Sequence, residues 1–93
     1  MRKIYQIDAI RVYEQTGVFA QLDRRTRIRR PDRPRTHWNE AWIHAVFTPA
    51  QLNFIQNRTV IFRSHPRHSP TIEVFVDELE LSERDYTLIG LLF

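Results

Sequence analysis

The sequence contains no cysteine, only two glycines and no long hydrophobic run. The absence of cysteine excludes disulfides, thiolate-bound zinc, iron–sulfur clusters and a cysteine nucleophile. Two glycines are too few for the glycine-rich loops that hold phosphate groups in nucleotide-binding proteins. No stretch approaches the ~18 apolar residues of a membrane span, and Asp8, Arg11 and Glu14 interrupt the region where a secretory signal has its apolar run. We therefore expect a cytoplasmic or intracellular protein with no membrane contact.

The length of 93 residues predicts one small domain that spans residues 1–93. A chain of this size buries only about 60 to 65% of its unfolded surface, so its core is modest. The sequence also lacks the nucleophile-elbow and zinc-protease motifs. These features favour a non-enzymatic binding protein that uses no cofactor.

Basic and acidic residues are divided unevenly along the chain, although the net charge is only +3. Residues 1–67 hold 13 Lys and Arg against 5 Asp and Glu, whereas residues 68–93 hold 1 Arg against 6 Asp and Glu. The densest basic stretch is 23–36, DRRTRIRRPDRPRT, with seven Arg and two Asp. Such a segment attracts polyanions, because binding releases the counterions condensed on a phosphate backbone. Nucleic acid is therefore the leading predicted partner.

Thirteen of the fourteen basic residues are arginine. The planar guanidinium group binds phosphate or carboxylate through paired hydrogen bonds and stacks on flat rings, which an ammonium group does less well. This bias favours recognition over general solubility. Two alternatives are that the arginines form a solvated loop, or that they pair within the chain with the acidic residues Glu73, Asp77, Glu78, Glu80, Glu83 and Asp85.

The first third of the chain has the pattern of a β-hairpin. Residues 3–13 are rich in Ile, Val and Tyr, residues 14–17 interrupt them, and residues 18–22 alternate apolar and polar side chains. The second strand is expected to continue into the Arg-rich stretch, where alternation would give one face a basic stripe of Arg25, Arg27 and Arg29. The prolines at 31 and 34 then end regular structure, which predicts an exposed Arg/Pro-rich loop at about 24–36.

Residues 38–47 fit either a helix or a buried strand, and we favour the strand. Thr48 suits a helix cap, Pro49 suits the first helical position, and Gln51 completes a capping-box pattern. This combination predicts a short helix near 49–57.

Two further strands are expected, over residues 59–63 and 71–81, joined by a loop at 64–70. The second alternates apolar residues with an acidic face. Residues 82–93 begin with a helix-start pattern but contain a β-favouring run, and we favour a strand. The sum is a β-rich α+β domain of about five short strands, mostly antiparallel hairpins, with one short helix.

The tail 71–93 resembles a hairpin pattern common in phage virion and tail-fibre segments. The resemblance depends on the run VFVD at 74–77, the run DYTL at 85–88, and Gly90, while Glu78 replaces the usual turn glycine. It is local, and it implies a viral or mobile-element origin.

His65 and His68 lie three residues apart, and His44 or His37 could complete a metal site with a carboxylate. Arg67, however, places positive charge between the two imidazoles. We therefore predict no bound metal. A minor hypothesis is a ribonuclease that uses His65 or His68 as general base and arginine to stabilise the phosphorane.

The aromatic residues fall into two groups. Trp42, between Ala41 and Ile43, is predicted to lie in the core, whereas Trp38 follows the Arg-rich stretch and suits base stacking or an interface. Tyr5, Tyr13, Phe19 and Phe75 could line a sheet face as in RNA-binding platforms, but the sequence signature of that fold is absent.

The leading hypothesis is a small basic protein whose Arg-rich stretch binds nucleic acid or a nucleoprotein complex. The residues assigned to this role are Arg24, Arg25, Arg27, Arg29, Arg30, Arg33, Arg35, His37 and Trp38. Binding would depend strongly on salt and weakly on sequence.

The alternative is a phage- or mobile-element-encoded protein-interaction module that acts in a host cell. It would inhibit a host nucleic-acid-processing or defence complex, or form part of a virion, and a host protein would then be its partner. Its contacts would be the Arg loop and an acidic patch of Glu73, Asp77, Glu78 and Glu80. Patches of opposite charge on one chain also permit a homodimer.

Overall fold

The computed structural model describes residues 1–22, 28–31, 41–65, 67 and 70–93. Its elements in chain order are β1 (Arg2–Asp8), α1 (Ala9–Thr16), β2 (Ile28–Arg29), α2 (Ala41–Val46), α3 (Pro49–Gln56), β3 (Val60–Ser64), β4 (Thr71–Val76), a 3-10 turn (Glu78–Glu80) and α4 (Glu83–Leu92). The four strands form one antiparallel sheet in the order β1-β4-β3-β2. The α+β class is confirmed. In place of about five strands and one helix, however, the described residues form four strands and four α-helices.

One face of the sheet, the core face, packs against the helices. Phe62 of β3 lies opposite Val74 of β4, and both are fully buried. Trp42 of α2 and Phe47, the residue after α2, both pack on Phe62. Their ring centroids lie 5.8 and 6.5 Å from that of Phe62. Trp42 is therefore a core residue, as predicted.

The C-terminal end of α4 closes the same core. The ring of Phe93 lies 5.4 Å from that of Tyr5 on β1 and 5.9 Å from that of Phe54 on α3. Tyr5 also contacts Phe47 at 5.7 Å. Tyr5 is thus part of the core and not of an exposed aromatic platform.

The expected N-terminal hairpin is wrong, because the chain turns from β1 directly into α1. The Asp8 carboxylate accepts hydrogen bonds from the backbone N–H groups of Ile10 and Arg11, at 3.0 and 3.1 Å, and so caps the helix. Gly17 ends it in the left-handed region, with φ of 74° and its N–H bonded to Tyr13 O. The glycine interpreted as a hairpin turn is therefore a helix C-cap.

The middle of the chain is more helical than predicted. Residues 41–46 form α2, so the favoured strand over 38–47 is wrong there, and residues 38–40 lie outside the described part. A helical period explains why Trp42 and Ile43 are buried while His44 is exposed. The prediction of α3 is confirmed, since Thr48 and Gln51 form both hydrogen bonds of the capping box, at 3.2 and 2.9 Å. β3 is also confirmed.

The last two elements also differ from the expectation. β4 ends at Val76, because Asp77 accepts a hydrogen bond from the N–H of Leu79 and starts the 3-10 turn. The strand favoured over 82–93 is wrong, and so is the hairpin that the phage-type resemblance implies. Ser82 and Asp85 form a second complete capping box at the start of α4. Gly90 lies inside that helix.

Candidate functional site

The second face of the sheet carries a mixed set of apolar and charged side chains. Strand side chains alternate between faces, and residues opposite each other on paired strands share a face. The register therefore places this set opposite the core. We call it the open face, and in the described residues it comprises Lys3, Gln6, Asp8, Ile28, Arg30, Ile61, Arg63, Thr71, Glu73 and Phe75.

One row of the open face crosses all four strands. Ile28 of β2 lies opposite Ile61 of β3, Ile61 lies opposite Phe75 of β4, and Phe75 lies opposite Lys3 of β1. With neighbouring strands about 4.8 Å apart, the row is roughly 14 Å wide. Ile28 is 54% exposed, while Ile61 and Phe75 are half-buried. The row is thus an apolar strip that reaches solvent and ends in a cation.

An arginine covers the aromatic residue of this row. The guanidinium carbon of Arg63 lies 5.1 Å from the centroid of the Phe75 ring, within the range of a cation–π contact. Arg63 belongs to the exposed end of β3. It therefore presents both charge and a flat hydrogen-bonding group next to a flat ring.

The buried carboxylate of the open face, that of Glu73, is neutralised within it. Glu73 is only 8% exposed, and its Oε2 lies 3.3 Å from the Nζ of Lys3. Its Cα partner across the strands is Arg63. Lys3 also donates to Gln6 Oε1 at 3.3 Å. In the described part of the chain, three cations, Lys3, Arg30 and Arg63, thus share the open face with two carboxylates. Glu73 is paired with Lys3, and Asp8 caps α1.

Arg29 does not belong to an exposed basic stripe, and this prediction is corrected. It lies opposite Val60 and hence on the core face, it is 9% exposed, and its Nη1 donates to the carbonyl of Gln56. Burial lowers the pKa of its guanidinium group. The next residue, Arg30, is exposed and by alternation lies on the side of Ile28. Arg29 therefore holds the edge strand, and Arg30 is available to a ligand.

The Arg/Pro-rich loop expected at 24–36 is described only over residues 28–31, and Ile28–Arg29 form β2 there. Residues 28 and 29 form a strand and not a loop because they pair with β3 at the edge of the sheet. Seven of the predicted binding residues lie outside the described part of the chain, and they are Arg24, Arg25, Arg27, Arg33, Arg35, His37 and Trp38.

The four acidic residues of the predicted patch do not share one face of a strand, because β4 ends before three of them. Glu73 is paired on the open face, as described above. Asp77 caps the 3-10 turn, and Glu80 accepts a hydrogen bond from the N–H of Thr59 at 2.9 Å. Glu78 is exposed.

The histidines are spread over the chain. His44 is exposed on α2, and the Nδ1 of His65 accepts a hydrogen bond from the N–H of Arg67 at 3.2 Å. His37 and His68 lie outside the described residues. In the described ranges no group of three or more His, Cys, Asp or Glu side chains is arranged to hold a metal ion.

Sequence reasoning missed several members of the open face, among them Lys3, Ile28 and Arg63. The position of Arg63 at the polar end of the predicted strand 59–63 was a usable signal, since its alternation with Phe62 places it opposite the core. Lys3 could not be assigned to this face in the same way. Its strand was expected to pair with the segment that follows it, whereas β1 pairs with β4.

No protein-family model, curated protein or solved structure matches this chain. None of the helices in the described part is long and apolar enough to cross a membrane. Function is therefore inferred from the chemistry of the site itself.

Proposed function

We propose that this chain is a non-enzymatic nucleic-acid-binding protein. Its phosphate contacts come from the Arg-rich segment, residues 23–36, and from the cations of the open face. The observation that carries the proposal is the position of β2: Ile28 and Arg29 belong to this segment and pair with β3 at the sheet edge. The most basic stretch of the sequence is thus covalently continuous with a sheet face that presents Arg30 and Arg63.

The charge distribution supports a polyanionic ligand. Glu73 is paired with Lys3, so it does not offset Arg30 and Arg63. The segment contains six arginines besides the buried Arg29. Each phosphate that these groups neutralise adds about 0.7 to 0.9 to the slope of log affinity against log salt.

The direct test is fluorescence anisotropy with labelled single-stranded and duplex DNA and RNA, titrated from about 50 to about 300 mM salt. We expect tight binding at low salt and a steep loss across this range. Arg30→Gln and Arg63→Gln should each weaken binding and lower the salt slope by about one contact. The matched control is Arg84→Gln, which removes the same charge from an exposed position on α4.

Two results would contradict the proposal. One is the absence of binding by the wild-type protein at low salt. The other is an equal effect of all three substitutions, because a general loss of positive charge would then explain the change without a defined surface.

A second candidate function is protein binding through the turn after β4. The observation that favours it is Leu79, whose side chain is 95% exposed between Glu78 and Glu80. A fully exposed apolar side chain between two carboxylates suits the apolar centre of a protein interface that has a polar rim. Under this alternative Leu79→Gln abolishes partner binding, whereas under the leading proposal it leaves nucleic-acid affinity unchanged.

A further inference from the structure

The row that crosses the open face combines three properties. It has an aromatic ring on a central strand, Phe75, the half-buried Ile61 beside it on β3, and the exposed Ile28 beyond that on β2. It also has a guanidinium group 5.1 Å from the centre of that ring. An ordinary open face of an antiparallel sheet is polar, so the apolar row calls for a partner with flat apolar groups.

We propose that this row is a base-stacking site for single-stranded nucleic acid. The stacking platform is Phe75 together with the Arg63 guanidinium that lies over its ring, and Ile61 and Ile28 extend it toward β2. The inference rests on the proposed nucleic-acid binding and specifies the form of the ligand.

Charge complementarity selects nucleic acid as the occupant. The apolar row ends at Lys3 on β1, and Arg30 stands next to Ile28 at the other edge. A strand of nucleic acid presents the matching pattern, with flat bases on one side and phosphates on the other. Of the two carboxylates on the described part of this face, Glu73 is neutralised by Lys3. Asp8 lies opposite Thr71, four residues along β4 from Phe75, where it caps α1.

The shape of the surface favours single strands over duplexes. A duplex hides the flat faces of its bases in the stack and offers only base edges and phosphates. Those edges are read by an element that enters a groove, whereas Phe75 is half-buried in a sheet and does not project. Aromatic platforms on sheets bind unstacked bases, with little dependence on sequence because every base has a flat face.

The test compares three labelled ligands of about 15 nucleotides in the same salt. They are a single strand, the corresponding duplex, and the same single strand with abasic sites at its centre, which keep the phosphate charge. We expect the wild-type protein to prefer the intact single strand to both the duplex and the abasic strand by about tenfold or more.

The decisive variant is Phe75→Leu, which keeps an apolar side chain and removes the ring. We expect its affinity for the single strand to fall roughly 5- to 150-fold, with the salt slope unchanged because no phosphate contact is lost. Phe75→Tyr should retain affinity. The control is Tyr13→Leu, which removes an exposed ring on α1 that pairs with Phe19 and is not part of the row.

The outcomes separate the two proposals. If the wild-type protein binds with a steep salt slope but a folded Phe75→Leu variant binds equally well, the stacking site is refuted and the nucleic-acid function stands. Equal affinity of the wild-type protein for intact and abasic strands would likewise refute the stacking site and leave the nucleic-acid function. If the wild-type protein binds no nucleic acid at low salt, both proposals fail.

A second readout needs no substitution in the sheet. Ultraviolet cross-linking of the wild-type protein to a bromouridine-containing single strand, followed by peptide mass spectrometry, should give an adduct on the peptide that contains Phe75. Adducts confined to peptides outside the open face would overturn the assignment.

Discussion

Arg58, just after α3, and Asp85, in the first turn of α4, form an ion pair that joins the two helices. Arg58 also donates to the carbonyl of Phe54 at 2.8 Å, and its guanidinium lies 3.9 Å from the centroid of the Phe54 ring. Asp85 in turn accepts the N–H of Ser82 at 3.0 Å, so the same carboxylate caps α4. One mostly buried carboxylate therefore fixes both the start of a helix and its packing partner.

Asp85→Asn should destabilise the protein by about 2 to 3 kcal/mol. Complete burial would give about 3 to 5 kcal/mol, and the partial exposure of both side chains reduces this. The loss arises because Arg58 keeps its charge without a carboxylate partner. Urea denaturation measures it, with Glu83→Gln as the control, since Glu83 is an exposed acid in the same turn. Equal stability of the two variants would contradict the role of the pair.

The same pair predicts a dependence on pH. The hydrogen bond from the Ser82 backbone, followed by the charge and hydrogen bond of Arg58, lowers the pKa of Asp85, although burial opposes this. Its folded pKa is thus below the unfolded value of about 3.9, so the stabilisation is complete above about pH 4 and is lost as pH falls through the folded pKa. The stability difference between wild type and Asp85→Asn should therefore shrink below about pH 4. A difference that stays constant in acid would refute this explanation.

Arg29 and Arg30 are adjacent in sequence, but only substitution of Arg29 should lower the stability of the protein. Arg29→Gln removes the hydrogen bond to the Gln56 carbonyl at the buried edge of the sheet, and we expect a loss of about 1 to 3 kcal/mol in unfolding free energy. Arg30→Gln should change stability by less than about 0.5 kcal/mol. Thermal denaturation of the two variants checks this directly, and equal shifts in Tm would contradict the opposed faces of β2.

The two glycines provide a matched pair with effects of opposite sign. Gly17 has a positive φ, and an added Cβ would meet no atom within 4 Å, so Gly17→Ala costs only backbone strain of about 1 kcal/mol. Gly90 lies inside α4, and its added Cβ would also meet nothing within 4 Å. Gly90→Ala should therefore stabilise the protein by about 0.5 to 1 kcal/mol. Chemical denaturation measures both, and a destabilising Gly90→Ala would argue against a helix at this position.

The two capping boxes show when a local sequence pattern predicts a helix correctly and when a β-favouring run next to it leads to the wrong prediction. The capping box of Thr48 and Gln51 precedes no strong β-forming run, and it predicted α3 correctly. The box of Ser82 and Asp85 is just as complete, but the β-branched and aromatic run that starts at Tyr86 outweighed it in the prediction. In the structure the first turn of α4 is also held by the ion pair between Asp85 and Arg58, a contact between distant residues that a local sequence pattern does not contain.

The open face could be predicted only in part, because the sequence does not show which residues of distant strands lie opposite each other. Alternation within a strand identifies Phe75 and Arg63 as opposite to the core once the strands are known. The row itself depends on which residue of β1 and of β2 meets Phe75 and Ile61, and those strands are far apart in the sequence. A two-residue strand such as β2 gives no periodicity from which to assign Arg29 to the core face.

The sequence pattern and the structure predict different effects of the substitution Gln51→Glu on stability. In a capping box, Glu and Gln are both accepted at this position, so the sequence pattern alone predicts that Gln51→Glu is harmless. In the fold Gln51 is buried, and while its Oε1 accepts the N–H of Thr48, its Nε2 donates to the carbonyl of Leu92 at the end of α4. A carboxylate keeps the first contact and turns the second into repulsion between two acceptors.

We therefore expect Gln51→Glu to lower the unfolding free energy by about 2 kcal/mol or more at neutral pH, because a charged acceptor is buried against a carbonyl. Burial and the carbonyl raise the folded pKa of the new carboxyl above its unfolded value of about 4.3. As pH falls through the folded pKa, the protonated group can donate to Leu92, so the deficit relative to wild type should diminish toward about pH 4. Thermal denaturation across this pH range, with Gln56→Glu as a less buried control on the same helix, measures it. A neutral Gln51→Glu at pH 7 would mean that the contact between α3 and the end of α4 does not contribute to stability.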